Sequence, residues 1–146
     1  MSVLKDIMAN AKAAVASVTA LKSVKRARII GQSLTESQRP AAGIWRAINR
    51  PKYGMHVTQT REITTYDLKL VVEICGAGSG GDDDVDDELI DLRDAVNAKL
   101  INNSLGGKCA PLEPFGDEAS LGITATPGYE QLAYQTSYTE DKPLVT

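Results

Sequence analysis

The sequence predicts an α+β domain: an antiparallel or mixed β-sheet with two main helices packed on one face. Three observations carry this. Two segments repeat apolar residues at spacings of three and four, the mark of an amphipathic helix. Two others, "DLKLVVEIC" and "QLAYQTSY", alternate at a spacing of two, the mark of a strand. The strands are also grouped between and after the helices, as in α+β proteins, rather than alternating with them one by one. A chain of 146 residues, 42% hydrophobic and 24% charged, is an ordinary globular composition, so one domain over residues 1–146 is expected.

The first helix is expected from Ser2 to about Lys22, with Leu4, Ile7, Met8, Ala11, Val15, Val18 and Leu21 as its stripe and Ser2 as its N-cap. Asp6 and this periodicity suit a folded helix rather than a transit peptide, and no continuous apolar centre marks a secretory signal. "SVKRARIIG" reads as a short strand closed by Gly31, and "QSLTESQRPAAG" as a loop. "IWRAI" resumes an extended pattern up to Pro51. The Thr- and Val-rich run from Met55 to Cys75 reads as one long strand or a hairpin. Within it Leu68, Leu70, Val72 and Ile74 share one face, and Lys69 and Glu73 are expected to face solvent on the other.

A second helix is expected from about Val85 to Ile101 on Val85, Leu89, Leu92, Val96 and Leu100, ended by the Asn and Gly residues of "NNSLGGK". The Pro- and Gly-broken stretch that follows should hold loops and one short strand around Leu121 to Ala125. The last strand places Leu132, Tyr134, Thr136 and Tyr138 on one face, and residues 141–146 are expected to form a mobile tail or docking arm.

Gly76, Gly78 and Gly81 match the G-x-G-x-x-G pattern of a dinucleotide-binding loop, after a strand and before a helix. The helix opens with Asp82, Asp83, Asp84, Asp86, Asp87 and Glu88, where a pyrophosphate would have to sit. Carboxylates there favour the helix dipole but repel phosphate, so no cofactor is expected. Asp82, Asp84 and Asp86 mimic three ligands of an EF-hand loop. The required sixth-position glycine is Asp87 and the twelfth-position glutamate is Arg93, so no metal site is expected either.

Catalytic constellations are missing. His56 is the one histidine, Cys75 and Cys109 form no C-x-x-C pair, and Ser104 and Ser120 lie in no nucleophile-elbow context. An enzyme is therefore not expected. No apolar run approaches the ~20 residues that span a bilayer, and no membrane partner is expected.

Charge is strongly segregated. Met1 to Arg61 carries eleven Lys or Arg against two acids, and the remainder five against seventeen, giving +9 and −12 within a net −3. Such separation suits complementary subunit surfaces or a nucleic-acid patch. Lys22, Lys25, Arg26 and Arg28 form the basic cluster and Asp82 to Glu88 the acidic one. The basic cluster has no interleaved aromatics of the kind a single-strand binder uses.

The opening helix "VLKDIMANAKAAVASV", the strand "YDLKLVVEIC", the helix "DELIDLRDAVNAKLINNSLGG" and the final strand "YEQLAYQTSYTED" together resemble the tail terminator (tail completion) proteins of long-tailed bacteriophages. The chain departs from that pattern in its acidic glycine loop and its long "APLEPFGDEASLGITATPG" connection. The resemblance implies a non-catalytic virion protein, made in the host cytoplasm, that forms a homo-oligomeric ring, typically a hexamer. Such a ring caps the tail tube and joins it to the head-closure or connector proteins of the neck, while DNA passes through its lumen without specific binding. A head-closure or neck adaptor protein is the alternative within the same virion, and a small nucleic-acid-binding protein using the basic N-terminal half is the alternative outside it. The basic cluster would meet a neighbour's acids, or the acids would line the lumen.

Overall fold

The computed structural model of the chain describes residues 2–30, 34–51, 56–57, 61–77, 81–116 and 128–143. Its elements are α1 (Val3–Ala16), β1 (Ser23–Lys25), β2 (Ala41–Pro51), β3 (His56–Val57), β4 (Arg61–Cys75), α2 (Asp82–Leu100), β5 (Glu113–Pro114) and β6 (Tyr129–Pro143). The sheet is mixed and runs β1-β2-β4-β6-β5, so the α+β class holds. Only β1 and β2 pair in parallel; β2–β4, β3–β4, β4–β6 and β5–β6 are antiparallel. Because β6 pairs with β4 along its whole length, β3 continues the β2 side of that strand, and His56–Val57 and Arg61–Cys75 are two antiparallel strands rather than one long one.

Both helices lie on one sheet face. Ile7, Met8, Ala11 and Val15 of α1 and Leu89, Leu92, Val96 and Leu100 of α2 bury against Leu68, Leu70, Val72, Ile74, Tyr134 and Tyr138. These are the positions that the two periodicities select. Tyr66 and Tyr138 stack at 5.1 Å, and Tyr134 donates its hydroxyl to Asn97 Oδ1 at 2.5 Å, tying β6 to α2.

α1 stops at Ala16, six residues short of expectation. Ser17 bonds back to Ala14 through its hydroxyl and its amide, and the chain then turns. Ser and Thr compete with helical backbone bonds in this way. Val18 and Leu21 still join the core, which is why the stripe outlasts the helix. Ser2 has extended N-cap backbone but makes no side-chain cap. α2 starts at Asp82, earlier than expected. After it Asn102 and Leu105 adopt left-handed backbone, at φ 64° and 51°, followed by Gly106 and Gly107. Asn10 of α1 donates to Leu105 O at 2.8 Å, so this turn is fastened to the first helix.

Three further differences concern the strands. β2 begins at Ala41, inside the expected loop, because Ala41–Gly43 are paired on both sides, to β1 and to β4. Glu113 and Pro114 form a short edge strand where a loop was expected; proline at such an edge blocks further pairing. β6 runs on to Pro143, so residues 141–143 of the expected tail are paired with β4. The strand expected around Leu121 to Ala125, and residues 144–146, lie outside the described residues.

Burial pushes the Cys75 and Cys109 thiols and the Tyr134 and Tyr138 hydroxyls above their ordinary values of 9.0 and 10.0. A group whose folded pKa is raised contributes stability below its unfolded pKa and loses it as pH climbs through the folded one. Thermal stability should therefore hold to about pH 8.5 and fall progressively above it. Melting curves across that range check this, and a constant Tm to about pH 11 would contradict it.

Candidate interaction site

The second sheet face, opposite the helices, holds the largest departure from expectation. Glu73 does not face solvent: it is 0% exposed. Its Oε1 accepts the backbone N–H groups of Ile29 and Ile30 at 2.8 and 3.3 Å. Its Oε2 accepts Gln131 Nε2 at 2.9 Å and pairs with Arg28 Nε at 3.6 Å. Lys69 is also covered, its side chain 12% exposed, donating to Gln135 Oε1 at 2.9 Å and lying 4.3 Å above the Phe115 ring.

What covers this face is the basic segment itself. The expected strand over "SVKRARIIG" ends at Lys25, because residues 26–30 leave the sheet edge and cross its second face as a strap. Two residues make the lane. Gly43, in register with Glu73, lets the strap approach the sheet: a Cβ there would overlap Ala27 O and lie 2.8 Å from Ile29 Cγ2. Glu73 then takes up the two strap amides, of which that of Ile29 would otherwise be buried without an acceptor. Ile29 is fully buried beside Ala41 and Cys75. Arg28 spreads over Trp45 at 4.5 Å from the ring centroid, a cation–π contact that with Glu73 fixes the guanidinium. Next to it Val71 and Ala133 are covered by the half-buried Trp45, Ala47, Ile48 and Phe115.

Of the four basic residues singled out from sequence, Lys22 and Arg26 are exposed, and Lys25 is half-buried. Arg28 keeps 55% of its side chain exposed while anchored from below. The strap thus presents cations outward from a base that is held at several points.

The acids lie at the same end of the sheet but on its helical side. Asp83, Asp84, Asp86 and Asp87 are exposed on the first turns of α2; the side chain of Asp82 lies outside the described residues. Glu88 belongs to a different role. Its Oε1 accepts Ala77 N at 2.7 Å, and a Cβ on Gly76 would overlap that same atom. The carboxylate occupies the backbone amide that a phosphate would use in a dinucleotide site. The antiparallel pairing of β4 with β6 supplies a second reason against such a site, because a dinucleotide crossover joins parallel strands. Because Lys69 and Glu73 are covered, solvent exposure of β4 is no argument against such a site.

Asp84, Asp87, Glu88 and Asp91 rim a groove of about 370 Å³ whose apolar side is Ala20, Pro40, Leu92 and Ala95. Lys22 N donates to Pro40 O at 2.7 Å, joining the groove to the start of the basic segment. Among the described residues no group of three or more His, Cys, Asp or Glu is placed to hold a metal ion. No helix of the described residues is long and apolar enough to cross a membrane. The arrangement sets the Arg28 guanidinium on one side of the sheet and the exposed acids of α2 on the other.

No family model matches the chain, and no curated protein matches it.

Sequence reasoning selected the cations and the acids but missed Glu73, Gly43 and the groove. The available signal for Glu73 was one carboxylate inside the otherwise apolar "LVVEIC". Gly43, in an extended strand, carried no signal, because the segment that approaches it comes from 14 to 16 residues earlier.

Proposed function

We propose that the chain is a structural virion protein of the tail terminator (tail completion) kind, acting as a homo-oligomeric ring that caps a tail tube and joins it to the neck. It works without catalysis and without a cofactor, by presenting shaped and charged surfaces to identical copies and to the tube and connector proteins. The observation that carries this reading is the placement of the strap, with Arg28, on the sheet face opposite the acids of α2. A ring uses a heterologous interface, in which one side of a subunit meets the other side of the next. Long-range attraction between such surfaces also speeds encounter, and salt weakens it. The resemblance of helix, strand, helix and final strand to the terminator proteins supplies the tube and the neck as partners.

The test is the mass of the purified protein in solution, followed by electron microscopy of the particle. Six copies of the 15.6 kDa chain give a ring of about 94 kDa. A ring without DNA affinity, located between tail and neck, is the expected result. A monomer that binds DNA with steep salt dependence would instead favour a nucleic-acid-binding protein, since phosphate contacts release counterions.

A further inference from the structure

We infer that the groove along α2 is the receptor for the basic strap of a second copy of this chain. The inference rests on the ring reading and deepens it by naming the two surfaces that meet. The groove is not merely a group of acids: Leu92, Ala95, Ala20 and Pro40 give it an apolar side, and its volume of about 370 Å³ accommodates side chains. Asp84, Asp87 and Asp91 recur at spacings of three and four, so they line one flank of α2 as a single acidic rail. Glu88, although it lines the groove, is committed to Ala77 N and is not part of that rail.

The occupant follows from charge and from shape. The chain's positive charge is concentrated before residue 62, and the strap carries the exposed Arg26 and Arg28 there. Arg26 is exposed at the start of the strap, which Glu73 and Gly43 hold against the sheet, so docking orders little new backbone. The strap rides on the second face and the groove opens on the helical side. Opposite sides of one subunit join copies head to tail, the geometry that closes a ring.

The experiment is a charge swap read by sedimentation at low and moderate salt, using the full chain. Arg26→Glu and Asp87→Lys each alter an exposed side chain, so circular dichroism should match the wild type, and Tm should fall only slightly for Asp87→Lys, which loses a favourable charge near the start of α2. Each single reversal should weaken association at least tenfold. The R26E/D87K double variant should recover to within about threefold of the wild type, because the swapped charges again meet across the interface. Single variants that assemble like the wild type, or a double variant as weak as the two losses combined, would overturn this pairing while leaving a ring intact. A wild-type protein that stays monomeric at every concentration would overturn the ring reading itself.

Discussion

Replacing Glu73 with Ala should cost the fold about 3–5 kcal/mol, the range for breaking a buried charged network. The loss has named parts. Ile29 N is left without its acceptor inside the protein, Ile30 N loses a longer bond, and Gln131 and Arg28 lose their common partner. Each buried donor so orphaned costs ~1–3 kcal/mol, and Arg28, being more than half exposed, contributes little because water screens it. With a urea m-value of about 2 kcal/mol/M, the midpoint should fall by roughly 2 M. The variant should also become sensitive to trypsin at Arg26 and Arg28, because the strap detaches before the sheet unfolds. Glu73→Gln keeps an oxygen for the strap amides and should lose only ~1 kcal/mol. If Glu73→Ala unfolds at the wild-type urea concentration, the clamp is not what holds the strap.

Gly43→Ala should lose about 3 kcal/mol, the upper part of the usual cost of overpacking. The reason is the nature of the obstructing atom. A methyl group there meets Ala27 O, a backbone oxygen with no rotamer to escape into, and then Ile29 Cγ2. The strap must lift, and with it the amides that Glu73 accepts. Gly116→Ala is the control: nothing lies within 4 Å of the added carbon, and the change should stay within about 0.5 kcal/mol. Because both strap variants break the same attachment, the G43A/E73A double variant should lose less than the sum of the singles. Additive losses would mean that the glycine and the carboxylate act on separate parts of the structure.

The strap gives both variants a second readout. If the strap docks on a neighbouring subunit, its release removes an ordered ligand, and association weakens even where the sheet survives. Glu73→Gln keeps the strap attached and should assemble like the wild type. The contrast separates loss of the interface from loss of the fold.

The parts of this protein that were legible in the sequence share one property: each is a local repeat on a single element. The stripe Ile7, Met8, Ala11 and Val15, the stripe Leu89, Leu92, Val96 and Leu100, and the alternation Leu68, Leu70, Val72 and Ile74 mark buried faces because a helix or strand fixes which residues point together. The acids of α2 were legible as a helix entrance for the same reason, and Tyr134, Thr136 and Tyr138 as one face of β6.

The exposure of Lys69 and Glu73 could not be read this way. Alternation shows that two faces differ, but says nothing of what a remote segment lays over the second one. Likewise Gly76-x-Gly78-x-x-Gly81 is a legible pattern, yet its meaning turns on Glu88, about two helical turns beyond, reaching back to Ala77 N, and on β6 returning antiparallel to β4. Sequence by itself determined the elements, their buried faces and the separation of charge, because those follow from spacing along one chain segment. Only the tertiary structure decided that the basic segment becomes a strap, that a carboxylate in an apolar strand is its anchor, and that Arg28 and the acids of α2 stand on opposite faces. The anchoring contacts of Arg28, Ile29 and Gln131 with Glu73 join residues 44 to 58 positions apart, and burial, not periodicity, sets them.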